Sequence, residues 1–440
     1  MNIAYLTAGA AGMYCGTCMH DNTLAQSLID RGHEVSLIPA YTPTRTDEAN
    51  VAESRIVFGA LNVYLQQRSS YFRRHRWLDR LIDSPRVLRW IGKLSGSAST
   101  DATMLGSMTL SMLEGESGHQ ARELEKLIDF LEEIVRPDLV HLSHTLFAGF
   151  ARRIRERLDV PVVASLAGED LFFDELEEPW HGRVETELRR RVRDVDAFTS
   201  PCRWYGERMS RDFGIPGERI HVVPLGIVAD DFRSGRPLAE TPMHQPPTIG
   251  YLARMAPEKG LHVLIDAFRD VATAHADVRL RLAGYLGAKD RDYVEEQKAK
   301  VEQWGLSHRV DWVGEVDREQ KVDFLADLDL FSVPTVYREP KGLFVPEALA
   351  SGVPVVLPRH GSFPEWVEAT GGGVLVDPES PSALAAALLE LLGDPARRSQ
   401  LGAAGRAVVR RRFDREQMTD QTLALYDELV GTRRSAASAA

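Results

Sequence analysis

Tyr337-Arg-Glu339-Pro-Lys341-Gly342-Leu343-Phe344-Val-Pro-Glu347-Ala-Leu-Ala-Ser351-Gly352-Val-Pro-Val-Val is the stretch on which the reading of this chain turns. Two glutamates stand eight positions apart. Glu339 precedes a glycine in a loop, and Glu347 falls in the first turn of a helix. Gly342 lets the backbone come close to a ligand. The new helix offers free N–H groups and a positive dipole end, which suits a phosphate. The carboxylate of Glu347 is able to accept from two vicinal hydroxyls, as on a ribose, and Glu339 stands where a sugar ring would lie. After the helix, Pro354–Leu357 reads as a strand. A helix running into an apolar strand is one beat of a parallel α/β sheet.

The same beat continues outward. Upstream, Gly250-Tyr-Leu-Ala-Arg254-Met-Ala-Pro-Glu258-Lys259-Gly260 ends a strand and opens a helix. It places two cations, Arg254 and Lys259, at the carboxyl end of that strand. Such a pair suits a diphosphate leaving group, whose charge grows in the transition state. Strands are expected at Thr248–Leu252, Val278–Ala283, Val310–Val313, Leu328–Val333, Pro354–Leu357 and Gly373–Val376. Helices are expected at Gly260–Ala274, Gln320–Ala326 and Pro381–Leu392. Residues 229–247, rich in proline and charge, read as a linker. Before it lies a second series: Asn2–Thr7, Glu34–Pro39, Leu139–Leu142, Val160–Leu166, Ala197–Ser200 and His221–Pro224, with a helix near Asn22–Arg31. Residues 41–135 interrupt that rhythm as a helical insertion.

The expected architecture is therefore α/β. Two tandem Rossmann-like, doubly wound parallel-sheet domains face each other across a cleft, the first at 1–230 and the second at 245–410. A helix at 411–430 follows, then a frayed tail at 431–440. Ligands of such sheets bind at the carboxyl ends of strands.

A chain of 440 residues is too long for one ordinary core, which agrees with two domains. The net charge of −11 argues against broad nucleic-acid binding, which needs a basic face. Three cysteines make a poor disulfide framework, and the N-terminus lacks the pattern of a signal peptide. No run reaches the ~18 apolar residues that span a bilayer. A cytoplasmic protein is expected. Residues 68–93 hold eight Lys or Arg against two Asp, interleaved with aromatics. That composition fits peripheral contact with the inner face of a membrane, and equally a solvated helix with one packed face.

Taken together, Gly32-His33-Glu34-Val35, Pro224-Leu-Gly226-Ile, Arg254 with Glu258-Lys259-Gly260, Glu339-x7-Glu347, Gly361-Ser-Phe-Pro364-Glu365 and the terminal helix resemble the family 4 glycosyltransferases, which adopt the GT-B fold. The likeness covers most of the chain outside 41–135. It implies net retention at the sugar and no metal or other cofactor, the nucleotide sugar being a substrate. It also implies that Arg254 and Lys259 bind the donor diphosphate and Glu347 the donor ribose. Glu339 would contact the sugar and stabilise its developing positive charge. Backbone at Gly342, Leu343 and Phe344 would meet phosphates and sugar, and Gly314–Val316 would border the base. In the first domain the Gly9-Ala-Ala-Gly12 turn would face the donor phosphates. The partners implied are a UDP- or GDP-sugar and a hydroxyl acceptor; neither the base, the sugar nor the oligomeric state is written in the sequence.

One departure stands out. The family carries a histidine where this chain reads Ser165-Leu-Ala167-Gly168-Glu169-Asp170. Glu169, Asp170, His141 or His144 are the candidates to serve the acceptor in its place. The departure keeps open hydrolysis, epimerisation or phosphorolysis of a nucleotide sugar, or binding without turnover. Two other spellings compete with plainer readings. Cys15-Gly-Thr-Cys18 with His20 matches half a zinc site or a redox pair, with a helix N-terminus that would lower a thiol pKa; small residues packing a glycine-rich turn explain it as well. Asp327-Leu-Asp329 spells a metal-binding pair, but it precedes a strand expected to be buried.

Overall fold

The computed structural model describes residues 1–9, 15–53, 102–232 and 246–439. The chain divides into two units, Met1–Pro224 with Thr419–Ala440, and Leu225–Met418.

The first unit is built on a parallel six-stranded sheet of β1 (Asn2–Thr7), β2 (Glu34–Pro39), β3 (Leu139–Leu142), β4 (Val162–Ser165), β5 (Ala197–Ser200) and β6 (Ile220–Val222), in the order β2-β1-β3-β4-β5-β6. Strands β3, β4 and β5 are buried at every residue, because helices cover both faces of the sheet. Those helices include α1 (Gly16–Asp30), α2 (Ala102–Glu114), α3 (Ala121–Phe130), α4 (Ala148–Leu158), α5 (Trp180–Arg191) and α6 (Arg203–Phe213). Of the expected insertion, 54–101 lies outside the described residues, and with it the basic stretch 68–93. Of the rest, 41–53 is irregular and touches β2 through a bridge between Ala52 and Leu37, whereas 102–135 is largely helical, and α2 and α3 contribute Leu113, Leu124, Leu127 and Ile128 to the unit's core.

The second unit has six parallel strands: β7 (Thr248–Leu252), β8 (Arg279–Ala283), β9 (Val310–Gly314), β10 (Leu330–Phe331), β11 (Val355–Pro358) and β12 (Gly373–Val376). They lie in the order β12-β11-β10-β7-β8-β9. The order reverses between β7 and β10. The loops at the carboxyl ends of those two strands therefore diverge and leave a crevice, the place where such sheets bind ligands. Around the sheet run α7 (Leu261–Ala274), α8 (Arg291–Gln303), α9 (Arg318–Ala326), α10 (Phe344–Ala350), α11 (Phe363–Thr370), α12 (Pro381–Gly393) and α13 (Pro395–Arg412). Helix α9 opens with a capping box, in which Asp317 accepts from Gln320 N at 2.9 Å and Gln320 accepts from Asp317 N at 3.0 Å.

Several bounds differ from expectation, among them β10, which is two residues, Leu330–Phe331, where Leu328–Val333 was expected. Leu225–Phe232 packs with the second unit, because Ile227 N donates to Phe413 O (3.1 Å) and Arg415 N to Ile227 O (2.8 Å), which commits this backbone to that unit's edge. The terminal helix α14 runs from Arg415 to Ala439, through the segment expected to fray. A single Gly431 costs a helix only about 1 kcal/mol, and the alanines beyond it are good helix formers. Helices α8 and α13 lie where no helix was expected. Each buries few residues, α8 only Val294, Gln297 and Val301, so little apolar periodicity marks them.

Candidate functional site

The crevice of the second unit is lined by the two stretches the sequence singled out. Strand β7 ends at Leu252, and the chain reaches α7 through Pro257–Lys259 and Gly260. Gly260 has φ +70°, and a Cβ there would lie 1.8 Å from the carbonyl oxygen of Pro334, just past β10. Only glycine allows that approach, which draws the loops after β7 and β10 together. Val336 N donates to Glu258 O at 3.0 Å and ties them again.

Lys259 and Glu339 meet at this junction. The Lys259 ammonium lies 2.6 Å from Glu339 Oε2, 2.8 Å from the Tyr337 hydroxyl and 4.8 Å from the centre of the Tyr337 ring. The Tyr337 hydroxyl also donates to Glu339 Oε2, while Oε1 accepts from the N–H groups of Lys341 and Gly342, both at 3.2 Å. Gly342 holds φ +63°, a left-handed turn that aims both N–H groups inward. Burial pushes the Glu339 carboxyl up. The Lys259 charge, with hydrogen bonds from Lys259, Tyr337 and Gly342, outweighs burial and holds the group below the usual carboxylate range. The result is a buried, ionised carboxylate fixed by four donors, one of them the Lys259 ammonium. Arg254 pairs with Glu258 and is one-third exposed. On the far side Ser362 N donates to Glu339 O (2.8 Å), and Trp366 Nε1 to Lys341 O (3.0 Å), so α11 holds the loop.

Glu347 sits one turn into α10, as the sequence predicted, and is buried. Its Oε1 accepts from Lys321 Nζ of α9 at 2.5 Å. Phe344, at the start of α10, lies 6.0 Å from the Lys259 ammonium and links the two carboxylate clusters. Helix α10 has seven residues, and Val345 N is taken by Gly342 O (2.8 Å), so fewer N–H groups are open there than a long helix would offer. Gly314 and Val316 lie at the end of β9, on the sheet edge two strands from β7. Gly9 lies two residues past the end of β1 in the first unit, beside Thr42, and Gly12 lies outside the described residues.

The acceptor-side candidates all belong to the first unit. His141 is buried. Its Nε2 is 2.8 Å from Ser165 Oγ, its Nδ1 bonds the Tyr426 hydroxyl of α14, and its ring stacks on Tyr5 at 4.4 Å. Burial pushes its pKa down to about 3. Glu169 is likewise spent internally, accepting from Thr145 N and Oγ1, Ala167 N and Tyr205 OH at 2.7–3.0 Å. Asp170 pairs with Arg208 at 3.0 Å, and burial raises its pKa. His144 is partly exposed and packs on Phe147 at 4.1 Å.

At Cys18 the thiol pKa moves opposite to the expected drop. Hydrogen bonding with Cys15 and then burial push the Cys18 thiol up, and no three metal-ligating side chains are grouped among the described residues. Asp329 is buried and accepts from Thr248 N at 2.9 Å, which makes it a brace between strand ends.

Comparison with known proteins bears on the family and the fold. Residues 239–408 match the family described as Glycosyl transferases group 1, and 22–226 match the Glycosyl transferase 4-like domain. A D-inositol 3-phosphate glycosyltransferase of Xylanimonas cellulosilytica is 32% identical over 67% of this chain and 73% of the relative. The chain belongs to the group 1 glycosyltransferases. A GDP-mannose-dependent phosphatidylinositol monomannoside mannosyltransferase of Mycolicibacterium smegmatis is 29% identical to this glycosyltransferase, over 59% of this chain and 68% of the relative. Among solved structures, HepE of Anabaena in complex with UDP covers 98% of the chain and 100% of its own length at TM-score 0.68 and 18% identity. Sucrose-phosphate synthase of Thermosynechococcus elongatus does so at 98%, 99%, 0.69 and 18%. These two share the fold.

Lys321 sits in a helix with no sequence signature around it and is not legible from motifs, while Tyr337 is marked only by its position two residues before Glu339.

Proposed function

We propose that this glycosyltransferase takes its sugar from a UDP- or GDP-sugar and passes it to a hydroxyl acceptor with net retention. What carries the reading is the convergence of Lys259, Tyr337 and Glu339 at the point where the second sheet reverses its strand order. Arg254 and Lys259 meet the donor diphosphate, with no metal ion assigned a part. As the bond from the anomeric carbon to the diphosphate oxygen breaks, these cations stabilise the growing charge of the leaving group, the kind of term that dominates such steps. Glu339, ionised, faces the positive charge that develops on the sugar. Glu347 accepts from the donor ribose, backbone at Gly342–Phe344 lines the phosphates and sugar, and Gly314–Val316 borders the base. The acceptor hydroxyl attacks from the face the diphosphate leaves and gives its proton to the departing diphosphate oxygen, which gives retention. The names of the relatives make a cyclitol or its phospholipid the first acceptors to try. The reading includes a cytoplasmic chain that touches an anionic membrane through residues 68–93.

The test is thermal stability with UDP, GDP, ADP and their common sugars. A ligand at a hundredfold excess over its dissociation constant stabilises the native state by about 2.7 kcal/mol. One nucleotide is expected to stabilise the chain, and Glu347→Ala to abolish the effect. Absence of a shift with every nucleotide overturns the donor assignment.

A further inference from the structure

Lys321 is a buried charge that the motifs leave without a task. It is the fourth residue of α9, its side chain is 8% exposed, and its ammonium sits on Oε1 of Glu347, which is 6% exposed. The same ammonium lies 5.7 Å from the centre of the Phe232 ring. The same ring carries the Arg318 guanidinium at 4.7 Å, and Arg318 bonds Asp231 at 2.8 Å. Residues 231 and 232 are thus stapled to α9 by an aromatic ring flanked by two cations and by one ion pair. Lys321 stands between that staple and the carboxylate.

We propose that Lys321 is a positioning residue of the donor site: it holds the Glu347 carboxylate in the one orientation in which two vicinal ribose hydroxyls bond it together. The inference rests on the donor-site reading above. An ionised carboxylate has about four acceptor positions on two oxygens. Lys321 occupies one of them on Oε1 and leaves the rest of the group for a diol. A free glutamate side chain would pay rotamer entropy to reach the same pose, and an ammonium fixed against Phe232 has met that cost during folding. Burial makes the arrangement one-sided. Without the ammonium, Glu347 is a buried charge lacking its partner, and it turns toward water. In that pose it no longer accepts two hydroxyl protons at once.

The experiment compares UDP and GDP with their 2′,3′-dideoxy forms, by calorimetry, on wild type, Lys321→Met and Lys321→Arg. Methionine keeps the length and apolar stem and removes the charge; arginine keeps the charge. Wild type is expected to prefer its ribonucleotide over the dideoxy form by roughly tenfold or more, the scale of a hydrogen bond to a charged group. In Lys321→Met that preference collapses to within ~3-fold while dideoxy binding changes less than ~3-fold, and Lys321→Arg recovers most of the preference by restoring a charged donor. In turnover the donor KM rises and kcat stays within a few-fold. The ribo-to-dideoxy ratio is taken within each variant, so partial unfolding cancels from it. If Lys321→Met weakens both forms equally and keeps the preference, Lys321 is merely structural and the inference falls. If wild type binds a nucleotide but ignores its hydroxyls, Glu347 is not the ribose ligand. If wild type binds no nucleotide, the donor reading itself fails.

Discussion

Replacing Lys259 by methionine separates the stability role of the Lys259–Glu339 pair from its role in turnover. The pair is 2.6 Å long, and its side chains are 16% and 6% exposed. Breaking a fully buried pair costs about 3–5 kcal/mol, and an exposed one about 0–1. This pair lies near the buried end, but Glu339 would keep the Tyr337 hydroxyl and two backbone N–H groups, so about 2–3 kcal/mol is the expected loss. For a unit of this size, that lowers Tm by roughly 4–12 °C. The pH dependence follows from the depressed Glu339 pKa. In wild type its stabilisation is complete above the ordinary carboxylate value of 4.5 and is lost as pH falls through the lower folded value. In the variant, burial acts unopposed by Lys259 and raises that pKa, so the penalty is largest near neutral pH and shrinks toward acid. Scanning calorimetry of both proteins at pH 7 and near pH 4.5 reads this directly. A penalty equal at the two values would refute charge pairing as its cause. In the same preparation kcat/KM should fall at least ~10²-fold, and an unchanged rate would remove Lys259 from the leaving-group site.

Two further outcomes are expected. His141 is buried with its pKa pushed down to about 3 while Asp21, His20, Tyr5 and Tyr426 stand around it, so its contribution to stability is complete above pH 6.5 and drains as pH falls toward 3, by at most ~1.4 kcal/mol per pH unit. His141→Gln should flatten denaturant-measured stability over that range, and an unaltered slope would contradict the assignment. The net +6 of residues 68–93 should carry the chain down with anionic vesicles at low salt and release it at high salt, since each basic residue near such a surface is worth ~1 kcal/mol before screening; failure to sediment would refute membrane contact.

The parts of this structure written most plainly in the sequence are those whose physics is local. Thr248–Leu252, Leu139–Leu142, Ala197–Ser200 and Gly373–Val376 appear as strands at the expected bounds, because a strand covered on both faces is a short apolar run, told from a buried helix by its length and its flanking turn residues. Arg254, Lys259, Glu339 and Glu347 were legible because a strand end or helix start fixes where each must be. Lys321 was not, since its partner lies 26 positions away and no local pattern announces a buried ion pair. Nor was the internal engagement of His141 and Glu169. Their partners, Tyr426 and Tyr205, come from distant helices, so polar residues after a strand end looked available when folding had already used them.

The membership of α14 bears on how the chain is made. Only its first turn belongs with Leu225–Met418; from Thr419 on it completes the unit begun at Met1, through Thr419 on Ser27, Asp420 on Arg31, Tyr426 on His141 and Arg433 on Asp159. On the ribosome, the half translated first therefore lacks one of its helices until translation reaches α14. The contiguous half emerges whole and is free to mature before its predecessor does. A stalled or prematurely terminated nascent chain would then carry a finished second unit behind an open first sheet, with Tyr5 and His141 deprived of their cover.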